Sequence, residues 1–182
     1  MNKNELNIRL SLVGEECTGK TVFLKYLNYE KLYKAQHIDY IPTNGASYMI
    51  KKFIYNNKDY LFEFWDNSGN SNYRNLNFCF TRESKVILIF YDPFNRKSFE
   101  TAKEFVNRSR EEGTNGQIYA LVCNKYNLKV KEKAENIVTD EEVLEFAEKN
   151  KVLFSHISIF DKYESGVNEL FVKILNEYIK NN

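Results

Sequence analysis

The sequence is poor in the residues that punctuate or cross-link a chain. It has two prolines, seven glycines and three cysteines among 182 residues. With so little proline and glycine there is no flexible linker or low-complexity segment, and no repeat is visible. Cys17, Cys79 and Cys123 stand far apart with no C-x-x-C pair. That spacing excludes a disulfide scaffold or zinc ribbon and fits a reducing compartment. No apolar run approaches the ~20 residues needed to span a bilayer. The start, MNKNELN, has neither an apolar signal core nor a glycine at position 2, and the end, EYIKNN, has no cysteine to prenylate. The expectation is a cytoplasmic chain without an intrinsic membrane anchor, reaching a membrane only through an anchor elsewhere or a partner. An excess of one charge is also missing. Lys and Arg total 26 against 25 Asp and Glu, a net charge of +1, which argues against nucleic acid as the main partner.

What is present is enough for a core: 43% of residues are apolar and 15% aromatic. The length suits one domain over residues 1–182 and a monomer is expected. Apolar strands alternate with helical patterns, the signature of an α/β fold. Strands are expected at Leu6–Val13, Tyr48–Tyr55, Tyr60–Asp66, Val86–Tyr91, Ile118–Cys123 and Val152–Ser158. VILIFY and IYALVC are apolar on both faces, as buried parallel strands are. The stretch around Asn56-Asn57-Lys58 reads as a hairpin, adding one antiparallel edge strand. Helical patterns open at Thr21, at Ser98, at Thr139 and near Gly166. Thr139 to Glu142 has the form of a capping box.

One segment carries specific chemistry. Gly14-Glu15-Glu16-Cys17-Thr18-Gly19-Lys20-Thr21 matches G-x-x-x-x-G-K-S/T and lies between an expected strand and an expected helix. That is the setting of a phosphate-binding P-loop. The glycines permit a tight turn with amides facing phosphate oxygens. Lys20 supplies charge to the β- and γ-phosphates, Thr21 a hydroxyl to Mg²⁺, and the helix N-terminus its dipole. The ligand class is a purine nucleoside triphosphate.

Further segments follow in order, and together with the P-loop they resemble the Ras-like small GTPases, closest to the Rab branch. Trp65-Asp66-Asn67-Ser68-Gly69-Asn70 is similar to the family's WDTAGQ, and Asn124-Lys125-Tyr126-Asn127 to its NKxD. Pro42-Thr43 resembles the threonine of the first switch, and Ser158-Ile159-Phe160 stands where the family has SAK. The resemblance runs from the first strand to the last helix. It implies a P-loop NTPase G domain: a six-stranded, mostly parallel sheet with about five helices. The implied ligands are GTP or GDP with Mg²⁺. The implied partners are protein effectors and an exchange factor, and the implied activity is that of a molecular switch.

The same resemblance distributes roles. The loop residues Gly14 to Thr21 and Val22 would surround the phosphates. Thr21 and Thr43 would ligate Mg²⁺ directly and Asp66 through water. Gly69 would meet the γ-phosphate, Asn124 and Lys125 would brace the base and the P-loop, Asn127 would read the base, and Ser158, Ile159 and Phe160 would complete the nucleotide site. Lys20, Thr43, Gly69 and Asn70 would form the hydrolytic set. Tyr33, or Tyr29 as its rival, would cover the base, and Tyr40 would close over the phosphates. Tyr48, Trp65 and Phe80 match an aromatic triad through which Rab proteins meet effectors. Ordinary packing is the bland alternative for all three.

Departures matter as much as matches. Asn70 replaces the water-orienting glutamine and is one methylene shorter. A misplacement of ~1 Å in such a residue can lower a rate ~10²-fold. Glu16 brings bulk and negative charge to the middle of the P-loop, where the family has small residues. Both features predict slow hydrolysis; the alternative for Glu16 is a side chain that points outward and matters little. Asn127 replaces the aspartate that reads guanine and offers one acceptor and a mismatched donor. That change costs about 2–3 kcal/mol, roughly 30- to 150-fold in affinity, and could suit xanthine or adenine instead. Phe160 replaces the lysine of SAK. Cys17 is read as a tolerated small residue, and His37 and His156 as non-catalytic. Two rival readings stand beside the switch: a nucleotide-binding interaction module without catalysis, and a P-loop kinase or ATPase. The last leaves NKYN and WDNSGN without a role.

Overall fold

A computed structural model describes residues 6–28, 43–124, 137–159 and 166–182. The strands are β1 (Leu6–Gly14), β2 (Ala46–Tyr55), β3 (Lys58–Asn67), β4 (Val86–Tyr91), β5 (Ile118–Cys123) and β6 (Leu153–His156). The helices are α1 (Lys20–Asn28), α2 (Arg74–Arg82), α3 (Arg96–Glu112), α4 (Asp140–Lys149) and α5 (Val167–Lys180). The strands form one sheet in the order β2-β3-β1-β4-β5-β6. All neighbours are parallel except β2 and β3. The expected sheet, with its single antiparallel edge, is the observed one.

Two cores flank the sheet. Phe23, Leu24 and Leu27 of α1 and Leu170, Phe171 and Ile174 of α5 pack on one face, against Ile8, Leu10, Phe62 and Phe64. Phe78 of α2, Phe99, Phe105 and Val106 of α3 and Val143 of α4 pack on the other, against Val13, Ile87, Ile89 and Leu121. Every residue of β4 and β5 is buried, which explains their unbroken apolar sequences. β2 alternates instead: Tyr48, Ile50 and Ile54 face solvent while Met49 and Phe53 pack on the first core. Its hairpin to β3 turns at Asn56 and Asn57, whose φ angles of 49° and 58° are those of the mirror-image turn that fits strand twist.

Helix starts differ from expectation by small steps. α3 opens at Arg96, two residues before the expected Ser98, because Asn95 is the cap, accepting from Ser98 N. Thr139 caps α4 by accepting from Glu142 N at 3.3 Å. The Glu142 carboxylate does not close the expected box: both its oxygens lie 2.5 Å from Arg96. α2 is the element that hydrophobic periodicity misses. Its buried residues are Asn77, Phe78 and Thr81, of which one is apolar.

β1 lies between β3 and β4, and the chain leaves β1 toward the α1 face but leaves β4 toward the α3 face. This reversal opens a crevice at the carboxyl ends of the two strands, where open α/β sheets place ligands. The Gly14–Thr21 segment occupies that position.

Candidate nucleotide and metal site

β1 ends against β4 so closely that a Cβ on Gly14 would stand 2.2 Å from Phe90 O, at a φ of 135°. Only glycine lets the chain turn there. Beyond the turn the loop folds back on Lys20, whose Nζ donates to Gly14 O and Glu15 O, both at 2.9 Å. Thr18 Oγ1 donates to Glu15 O at 2.9 Å. Phe23 N donates to Gly19 O and opens α1. Lys20 is 5% exposed, and burial pushes its ammonium down to about 8, with the charges of Asp66 and Glu15 opposing the fall. A buried ammonium surrounded by loop carbonyls is poised to gain a polyanion's charge. Cys17 is exposed and holds φ at 61°, a left-handed conformation that favours glycine. Glu16 is exposed, and Val22 is half-buried on the first core.

Three oxygens converge beside the loop. Thr21 Oγ1 donates to Asp66 Oδ2 at 2.6 Å and lies 2.9 Å from Thr43 Oγ1. Asp66 comes from the end of β3 and is fully buried. Its Oδ1 has no hydrogen-bond partner among the described residues. Burial lifts the Asp66 carboxyl above its usual range, against the Thr21 hydroxyl and the Lys20 charge. One carboxylate with a free oxygen and two hydroxyls is a hard-oxygen donor set that suits Mg²⁺, an ion that otherwise keeps water and phosphate ligands. Among the described residues no cluster of three or more His, Cys, Asp or Glu competes as a metal site.

The turn after Asp66 packs on the loop. A Cβ on Gly69 would lie 2.6 Å from Glu16 N and 2.7 Å from Glu16 Cα, so nothing larger than glycine fits this approach. Ser68 N donates to Gly45 O at 2.9 Å, joining the turn to the chain just after Thr43. The Asn70 side chain is engaged locally. Its Oδ1 accepts from Asn72 N at 2.9 Å and caps a short 3₁₀ turn over Ser71–Tyr73. This is the local pattern that asparagine favours and that the longer glutamine makes less readily.

On the base side, Asn124 is 2% exposed and its Nδ2 donates to Thr18 O at 2.8 Å, tying the end of β5 to the phosphate loop. Its Oδ1 has no partner among the described residues. Gly19 makes room for it: a Cβ there would stand 2.0 Å from Asn124 Nδ2. Ser158 and Ile159 are buried just after β6, with Ile157 N bonded to Cys123 O. Lys125, Asn127, Phe160, Tyr29, Tyr33, Tyr40, Pro42 and His37 lie outside the described residues. His156 pairs with Asp140 at 2.8 Å.

The aromatic triad is a physical cluster. Trp65 stacks on Phe80 with centroids 5.3 Å apart and meets Tyr48 at 4.9 Å. Tyr48 is 48% exposed. The Arg9 guanidinium lies 4.6 Å from the Trp65 ring, a contact the sequence does not announce. Other residues escaped the sequence reading. Arg74, Asn77, Lys97 and Thr101 reach the loop or its neighbouring turn from α2 and α3. Nothing local marks them, because their partners are remote in the chain.

A phosphate loop at a topological switch point, a Thr–Asp–Thr oxygen cluster and a buried asparagine bracing the loop define a P-loop G domain. Comparison with known proteins agrees. The Ras family profile matches residues 9–180. The chain is 30% identical to Ras-related protein Rab-5A of Dictyostelium discoideum, over 99% of this chain and 86% of that protein. It is 28% identical to a putative ras-related protein, Rab-5B, of the same organism, over 99% and 79%. It is 29% identical to Ras-related protein RABF2b of Arabidopsis thaliana, over 93% and 80%. The chain belongs to the Ras family of small GTPases, which are GTP-binding switches, and Rab proteins are among its relatives. No helix among the described residues is long and apolar enough to cross a membrane.

Proposed function

We propose that residues 1–182 form one G domain that binds GTP and GDP with Mg²⁺ and hydrolyses GTP slowly. It would act through effector proteins in vesicle traffic or signalling. Lys20 and the amides of residues 14–21 hold the phosphates, Thr21, Thr43 and Asp66 serve Mg²⁺, and Asn124 with Lys125 and Asn127 holds the base. Tyr48, Trp65 and Phe80 form the surface an effector reads. The observation that carries nucleotide and metal binding is the convergence of Thr21, Thr43 and Asp66 beside the loop closed by Lys20.

Slow hydrolysis rests on Asn70. Its side-chain oxygen is engaged by Asn72 N, so orienting a water would break a turn cap. Glu16 adds an exposed carboxylate in the middle of the loop. Asn70→Gln in a single-turnover GTP assay tests this. The longer amide is expected to raise the rate by roughly 10- to 100-fold, and an unchanged rate would contradict the assignment. The engaged Asn70 also favours a second reading, a nucleotide-binding module with no hydrolysis. Measurable turnover by the unaltered chain would exclude that one.

A further inference from the structure

Glu15, the second residue of the loop, turns its side chain away from the loop and toward two helices. Its carboxylate is only 13% exposed. Oε1 lies 2.7 Å from Lys97 Nζ, while Oε2 accepts from Thr101 Oγ1 at 3.0 Å and stands 3.5 Å from the Arg74 guanidinium. Lys97 and Thr101 belong to α3, and Arg74 is the first residue of α2. Glu104 of α3 holds Arg74 from its other side at 3.2 Å. Burial opposes the Glu15 charge, but bonds from Lys97 and Thr101 and the charge of Arg74 outweigh it and hold the carboxyl below its usual range.

A second set of contacts fixes the turn between β3 and α2. Asn77, 2% exposed, donates from α2 to Ser68 O at 2.8 Å. Asn67 donates to Leu12 O at 3.1 Å and to Trp65 O at 3.2 Å. Gly69, two residues further on, rests on the Glu15–Glu16 backbone. In a switch that is ordered by its ligand, contacts to the γ-phosphate order such a turn. Here side chains of the loop and of α2 do so.

We infer that Glu15 is a positioning residue which, with Asn77, keeps α2 and the Asn67–Gly69 turn docked on the phosphate loop in both the diphosphate and the triphosphate form. The inference rests on the nucleotide-switch reading and deepens it. Partners that read α2 would discriminate little between the two forms. A turn already docked needs no ordering when triphosphate binds, so the clamp favours triphosphate over diphosphate.

Hydrogen exchange of residues 68–82, with GDP and with a non-hydrolysable GTP analogue, tests this. β4 and β5 serve as internal references for global unfolding. The unaltered protein is expected to protect residues 68–82 equally in both forms. Glu15→Gln is expected to lose that protection with GDP and regain it with the analogue. Its affinity for the analogue should fall roughly five- to tenfold relative to GDP, the range for a partly buried ion pair. Arg74→Met supplies the same signature should Glu15→Gln fail to fold. Protection of the unaltered protein only with the analogue would overturn the inference, as would equal weakening of both nucleotides. Failure to bind any guanine nucleotide would sink the switch reading instead. Exchange of the ligand-free protein would then still judge the clamp, which falls if Glu15→Gln leaves residues 68–82 unchanged.

Discussion

Asp66→Asn separates a metal role from a structural one at the site. In the native chain Asp66 Oδ2 accepts a 2.6 Å bond from Thr21, Oδ1 has no partner among the described residues, and the carboxyl is fully buried. Asparagine retains an acceptor of the same shape, so the Thr21 bond changes from charge-assisted to neutral, a loss of about 1 kcal/mol. Against that loss stands the relief of a carboxylate whose charge burial disfavours. The two effects oppose each other, and melting of the nucleotide-free protein should move by no more than about 2–4 °C, the shift that ~1 kcal/mol gives a domain of this size. Mg²⁺ dependence should change far more. A carboxylate acting on a metal through water typically contributes about 10- to 100-fold in metal affinity. The assay is dissociation of a fluorescent guanine nucleotide across a Mg²⁺ titration. The Mg²⁺ concentration for half-maximal slowing should rise by about 10- to 100-fold in Asp66→Asn. An unchanged midpoint would refute the metal assignment. A large drop in melting temperature would show that the carboxylate is chiefly structural.

Two further outcomes are expected. Cys17→Gly should stabilise the protein, because Cys17 holds φ at 61° and relief of a left-handed side-chain conformation gives about 1 kcal/mol. A thermal melt that fails to rise by about 2–4 °C would contradict that estimate. The Glu15 clamp should be lost in acid. Its folded pKa is below the ordinary 4.5, so its contribution is full above the unfolded value and disappears as pH falls through the folded one. Urea midpoints of the native chain and Glu15→Gln should therefore differ at neutral pH and converge in strong acid. A gap that persists unchanged at low pH would exclude the ionised carboxylate as its source.

The sheet is legible in the sequence because burial on both faces leaves β4 and β5 as uninterrupted apolar runs, and because Asn56-Asn57 marks its hairpin. α2 is not, since its inner face is built from Asn77, Phe78 and Thr81 and gives no apolar stripe for periodicity to find. The site divides along the same line. Gly14, Lys20, Thr21 and Asp66 stand in motifs whose spacing states their chemistry, and the structure brings Thr43 and Asn124 to the same loop. Glu15 reads from sequence as one more loop residue. Its partners Arg74, Lys97 and Thr101 become neighbours only when α2 and α3 pack on the sheet. For Asn70 the signal is local: asparagine before Ser71-Asn72 is a turn cap, which adds to its short reach as an argument for the slow hydrolysis proposed above.

The loop, the oxygen cluster and Asn124 are proposed to hold a guanine nucleotide together. The most direct measurement is competition among GTP, XTP and ATP for the purified, folded protein in Mg²⁺, with any nucleotide carried through purification extracted and identified. Mg²⁺-dependent binding of GTP and GDP, with GTP ahead of ATP, is the expected result. A folded protein that binds none of the three, or that clearly prefers ATP, would contradict it.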